Sequence, residues 1–215
     1  MTSRLHWIFS LVLFSAISLS ACSSIEVQQD DPAQLFKLAE EEIKNEHYIL
    51  ATERLKTIRN RFPYSQQAPL AQVRLADVYF LQESFNEAAV AYETFRDLHP
   101  KHELVPYALF RTGRSYFRDA PTEIARDLGP ASRAVEAYRE FLKRFPNHSL
   151  SEDAHKELDE ALELLARKEN YIAQFYRREG QVKAAKARLE FLVATYPETA
   201  TAKEARKTLQ ELSAP

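Results

Sequence analysis

Six histidines and a single cysteine are the residues of this 215-residue chain whose types best suit chemistry. His99 and His102 straddle Pro100, where a turn is expected, and His148 and His155 stand seven apart near a helix start. Neither pair has a third ligand at metal-binding spacing, so no metal is expected. There is no His-Glu-x-x-His pair, no phosphate-cradling glycine loop and no nucleophile elbow. The run Glu40-Glu41-Glu42 reads as a solvated helix face. These residues predict neither an enzyme nor a cofactor. Cys22 has no second cysteine to pair with, so no disulfide is expected in the fold.

The neighbours of Cys22 suggest a different use for it. Arg4 precedes an apolar run from Trp7 to Ile17. That run has signal-peptide length and falls short of the about 20 residues of a membrane span. Leu19-Ser20-Ala21-Cys22 follows, and it resembles the lipobox of bacterial lipoproteins: an aliphatic residue, two small ones that fit a peptidase cleft, and the acylated cysteine. The resemblance implies that residues 1–21 are a signal peptide and that Cys22 is lipidated. Two or more acyl chains hold a protein stably at a bilayer, since each buried CH₂ contributes about 0.8 kcal/mol. Ser23, where an Asp would favour retention in the inner membrane, implies export to the outer membrane. Residues 22–32 are polar and read as a lipidated tether.

The elements that position the rest must be helices. Only three glycines occur, too few for a hairpin-rich sheet protein. Without Arg4, 28 of the 29 basic residues remain against 31 acidic ones, a formal charge of −3, which gives no nucleic-acid footprint. Four segments, Tyr48–Pro63, Phe85–Pro100, Ala131–Pro146 and Val182–Pro197, align on their last residue. Position four is always alanine: Ala51, Ala88, Ala134 and Ala185. Position eight is Leu55, Tyr92, Tyr138 or Leu189, and position eleven is Ile58, Phe95, Phe141 or Leu192. Steps of three and four residues keep one helical face apolar, and the proline ends the helix. Eight residues after each proline alanine recurs, at Ala71, Ala108, Ala154 and Ala205. Each unit is therefore a helix pair, A then B. The pattern resembles the tetratricopeptide repeat (TPR), with wider spacing than its usual period of about 34 residues. It predicts an all-α, TPR-like solenoid of about five antiparallel pairs over residues 33–215. The fourth pair would be Ser151–Arg167 with Glu169–Arg178, capped by Gly180 in a left-handed turn, and the fifth Gln181–Tyr196 with Thr199–Leu212. Asp119–Pro130 would be a loop.

The stretch Leu165–Gly180, followed by Ala184-Ala185, Arg188 and Tyr196-Pro197-Glu198-Thr199, resembles the BamD (ComL) family of outer-membrane assembly lipoproteins. Arg59-Asn60-Arg61-Phe62-Pro63 resembles that family's first repeat. The third-pair loop is shorter than in many relatives. The resemblance implies a scaffold without catalytic residues, lipid-anchored on the periplasmic face of the outer membrane. It implies docking on the POTRA domains of the barrel insertase BamA, contact with other lipoproteins of that machinery, and receipt of unfolded outer-membrane protein precursors. The alternative is another periplasmic TPR scaffold lipoprotein, such as a secretin pilotin or an envelope-constriction factor. A peptidoglycan-acting enzyme would need a second domain, for which no length is spare.

By resemblance Arg188 is the main docking residue, with Arg177, Arg178 and Tyr176 beside it and Tyr171 and Phe175 as further candidates. TPR arrays commonly hold ligands on the concave side, lined by helices A. Offsets of seven, ten, fourteen, seventeen and eighteen from the preceding proline select that side. They point to Phe36, Phe80, Tyr107, Phe110, Arg114, Phe117 and Arg118 as a substrate groove. Its aromatic residues would take the alternating side chains at the end of a barrel precursor. Arg114 or Arg118 would pair with the terminal carboxylate.

Overall fold

The structure, a computed structural model, describes residues 31–212. Cys22, the signal peptide and the tether up to residue 30 lie outside the described residues, as do residues 213–215.

Nine helices run through the described residues with no strand among them. They are α1 Pro32–Lys44, α2 Tyr48–Arg61, α3 Gln67–Leu81, α4 Phe85–Leu98, α5 Val105–Asp119, α6 Gly129–Arg144, α7 Ser151–Arg178, α8 Val182–Thr195 and α9 Ala200–Glu211. Each packs on its neighbours in sequence, and α1 also touches α3, α5 touches α7, and α7 touches α9. This is a TPR-like array of helical hairpins.

Local chemistry sets the repeat. Helices α2, α4, α6 and α8 all end on the residue before a proline: Phe62, His99, Phe145 and Tyr196. Proline bars its predecessor from the helical region. All four caps share one geometry, with φ between −126° and −133° and ψ between 50° and 56°. Each cap N–H still donates to the carbonyl four residues back, that of Ile58, Phe95, Phe141 or Leu192. At the other turn, three hairpins use a left-handed residue: Glu46, Glu83 and Gly180 at φ 61°, 59° and 69°. The N–H that follows reaches back five residues, as in a Schellman motif: His47 to Glu42, Ser84 to Tyr79 and Gln181 to Tyr176. In the third hairpin residues 120–128 replace this turn.

The recurring alanines are where close approach requires them. Ala51, Ala88, Ala134 and Ala185 are fully buried, as are the residues at positions eight and eleven of each B helix. Gly113 on α5 faces Tyr138, and a Cβ there would lie 2.7 Å from the ring.

One expectation fails. Ser151–Arg167 and Glu169–Arg178 are not two helices of a pair but one continuous helix, α7, of 28 residues. No glycine or proline interrupts it, and Lys168, where the break was expected, is a good helix former. Its first half packs Ala161 and Leu165 against Ala131 and Val135 of α6. Its second half packs Ala166 and Ala173 against Leu189 and Leu192 of α8 and Ala202 and Ala205 of α9. The array is thus four hairpins closed by α9, with α7 shared between two cores.

Candidate functional site

The face lined by α1, α3, α5 and α7 carries a ladder of charges at repeating offsets. In each step a residue fourteen after one proline meets a residue eleven after the next, on the following A helix. Asp77 of α3 faces Arg111 of α5, with Oδ1 3.9 Å from Nη2. Arg114 of α5 pairs with Glu157 of α7, Nε to Oε1 at 2.8 Å. One repeat earlier, Arg74 of α3 grips both carboxylate oxygens of Glu40 of α1 at 2.6 and 2.7 Å, and also bonds Asp77 Oδ2 at 2.8 Å. The B-helix tyrosines close two of the steps. Tyr92 donates to Asp77, and Tyr138 donates to Glu157. The polarity reverses between them: acid, tyrosine, arginine in one and arginine, tyrosine, acid in the next.

These groups titrate accordingly. Tyr107 donates to Asp77 Oδ1 at 2.7 Å, and burial, then the Asp77 charge, push its hydroxyl up to about 12. Burial and the neighbouring carboxylates raise Tyr92 and Tyr138 further. Burial opposes the charge on Arg114, but the bonds and charge of Glu157 outweigh it and leave the guanidinium raised.

On α5, Arg111, Arg114 and Arg118 form one stripe, each lying against a ring: Phe80 at 4.1 Å, Phe110 at 4.5 Å and Phe85 at 5.7 Å. They open into a hollow of about 370 Å³ lined by Phe80, Phe117, Glu157 and Glu160 as well. Four groove residues expected from sequence, Phe80, Arg114, Phe117 and Arg118, converge here. Tyr107 is half-buried and engaged with Asp77. Phe36 is elsewhere, packed on the core of α1, α2 and α3.

Phe110 is a correction. It is 1% exposed and lies against Tyr138 and Phe141, so it supports the hollow from beneath. Val73, at the same offset, is also buried. A middle A helix is covered on three sides, which narrows its open face below what helical periodicity suggests. Arg114 is committed to Glu157, whereas Arg118 is exposed and has no carboxylate at ion-pair distance among the described residues. Arg111 was not anticipated. The complementary signs at offsets fourteen and eleven were the signal that marked it.

Past the hollow, α7 carries the charged residues Asp159, Glu163 and Arg167. Glu163 accepts from the Thr201 hydroxyl at 2.5 Å. A second cleft of about 770 Å³, not anticipated from sequence, extends from Phe117 over α7 to the Thr195–Ala200 turn.

The residues considered for docking sit on the far half of α7 and on α8. Arg188 is 43% exposed and folds back to Glu169, Nη1 to Oε2 at 2.9 Å. Arg177 and Arg178 are exposed and Tyr176 is half-buried, edge-on to Phe175. Tyr171 and Phe175 are 43% and 47% exposed, one turn apart. Two of the histidines have local roles: His102 and His148 each accept the N–H two residues on, at 3.1 and 3.2 Å. Among the described residues no three His, Cys, Asp or Glu side chains gather as a metal site requires.

Residues 28–213 match the sequence pattern of the family described as "YfiO: Outer membrane lipoprotein". A protein of Neisseria meningitidis serogroup A named "Outer membrane protein assembly factor BamD" is 26% identical over 93% of this chain and 81% of its own length. The protein of that name from Vibrio cholerae is 27% identical, covering 93% of this chain and 86% of its own. A crystal structure of a tetratricopeptide repeat protein from Parabacteroides merdae superposes with a TM-score of 0.45 at 15% identity, over 84% of this chain and 73% of that one.

Proposed function

The chain belongs to the YfiO family of outer membrane lipoproteins, and from that premise we propose that it is a non-catalytic scaffold for assembling outer-membrane β-barrel proteins. Cys22 carries the lipid that holds it at the periplasmic face of the outer membrane. The far half of α7 with α8 docks on the POTRA domains of BamA, through Arg188, the exposed Arg177 and Arg178, and the half-buried Tyr176. The hollow on α5 receives the end of an unfolded precursor.

One observation carries the receiving role. Arg118 is an exposed guanidinium without a carboxylate partner among the described residues, beside Phe117 and facing a hollow walled by Phe80. An aromatic residue bearing a terminal carboxylate complements that arrangement. Charge-assisted bonds to Arg118 and ring contacts to Phe80 and Phe117 would hold it. The test is fluorescence anisotropy with a peptide ending in Phe. Affinity drops for Arg118→Ala and for a peptide with a C-terminal amide. Binding indifferent to both would place the precursor elsewhere.

Docking has its own test. Arg188→Glu removes the bond to Glu169 and reverses the surface charge, whereas Glu169→Gln weakens only the internal pair. The proposal expects loss of co-purified insertase with the first and retention with the second, at unchanged helical content. Equal recovery from Arg188→Glu would leave the arginine as an internal tie between α7 and α8.

A further inference from the structure

The arginine hollow does not end at α5. It shares two walls, Phe117 and Glu160, with the larger cleft that runs across α7 to the Thr195–Ala200 turn. The two ends of this trough differ in charge. At α5, Arg111, Arg114 and Arg118 outnumber Glu157 and Glu160. Beyond the shared Glu160, Asp159, Glu163 and Glu198 outnumber Arg139 and Arg167 in the larger cleft. Glu163 accepts from Thr201, and Asp159, Glu198, Arg139 and Arg167 make no ion pair among the described residues, so the acids there keep their excess. The larger cleft also offers apolar surface from Phe117, Leu162, Leu164, Tyr196 and Pro197.

We propose that one extended precursor segment fills the whole trough, its terminal carboxylate at Arg118 and its upstream residues crossing α7 toward Tyr196, and that the charge gradient sets this direction. The inference rests on the receiving role proposed above. A reversed peptide would bring its carboxylate to the end where acids outnumber arginines. In the forward direction the far end instead favours a lysine or arginine side chain. Packed helices stand about 8–10 Å apart, so two steps, α5 to α7 to α9, cover about 16–20 Å. At about 3.3 Å per residue that is five or six residues. The occupant is thus a C-terminal segment with an aromatic last residue and a basic residue about six positions before it.

Eight-residue peptides ending in Phe, with Lys, Gln or Glu six positions before the end, test this against the mature protein by anisotropy. The expected order of affinity is Lys, Gln, Glu, with roughly fivefold to tenfold between the extremes at low salt, as exposed charge pairs allow. The spread narrows in high salt. Asp159→Lys combined with Glu198→Lys inverts the order, and circular dichroism checks that the variant is folded. Equal binding of the three peptides, or an order the variant leaves unchanged, overturns the trough. If a terminal amide still weakens binding in that case, the site at Arg118 stands and only its extension falls. If neither the amide nor the upstream charge matters, the receiving role falls as well.

Discussion

Arg114 and Arg118 lie one helical turn apart on α5, yet they face opposite consequences on replacement. Arg114→Ala strips Glu157 and Tyr138 of their cationic partner inside a half-buried network, at a cost of roughly 1–3 kcal/mol. Arg118 has only a ring contact to lose, so Arg118→Ala stays within about 0.5 kcal/mol of wild type. Urea denaturation of the two variants separates the tie from the free cation. The ladder also sets an alkaline limit. The Tyr107 hydroxyl is raised to about 12 in the fold, above the value near 10 of an unfolded tyrosine. Below pH 10 both states keep the proton. As pH rises from about 10 to 12 the unfolded chain releases it first, so stability present below pH 10 is lost across that window. Thermal midpoints should fall above pH 10, and the tyrosine absorbance titration should show a group that ionises only near pH 12. A flat midpoint between pH 10 and 12 would contradict the Asp77–Tyr107 contact.

Turns and close approaches decide the elements. Glu46 and Glu83 occupy the left-handed position that Gly180 fills in the fourth hairpin. A side chain costs roughly 1 kcal/mol there, so Glu46→Gly and Glu83→Gly should each raise stability by about that amount, read as a rise in the urea midpoint. Gly113 shows the opposite need. A methyl group at that position meets the ring of the fully buried Tyr138, whose hydroxyl is tied to Glu157. Overpacking of this kind costs about 1–3 kcal/mol, and the better helix propensity of alanine returns up to about 1. Gly113→Ala is therefore expected to destabilise, and a stabilised variant would mean that α5 and α6 are further apart than the structure shows.

At the scale of the whole molecule, α7 is the mechanical link. At about 1.5 Å per residue its 28 residues reach about 42 Å, with one core on its first half and another on its second. Lys168 lies just past the change-over at Leu165-Ala166, and its ammonium holds the 120–128 loop through the carbonyls of Ala125 and Arg126 at 3.0 and 2.9 Å. A proline at this point removes a hydrogen bond and clashes with the preceding turn, costing about 3 kcal/mol or more. Lys168→Pro should break the cooperativity between α1–α6 and α8–α9, so that calorimetry resolves two transitions in place of one. A single transition at lower temperature would mean that the cores are coupled by contacts other than α7. In the proposed scaffold this link joins the receiving hollow to the docking surface.

The amino-acid sequence by itself determined the helical hairpins, their pre-proline ends, the left-handed Gly180 turn and the buried alanines. All of these follow from forces that act within a turn or two of chain: the exclusion of the helical region before proline, the period of 3.6, and the size of a side chain. The same helical offsets select Phe80, Phe117 and Arg118, which line one hollow. Only the tertiary structure decided that Phe110 lies beneath that face, that Arg114 and Arg188 are tied to Glu157 and Glu169, and that α7 serves two cores. Those outcomes depend on which side chains of separate helices come opposite each other, with partners 19 to 43 residues apart in the chain. A helical period gives the direction in which a side chain leaves its own axis. How many neighbouring helices cover that direction, and whether a charge of opposite sign waits there, is decided when the array closes.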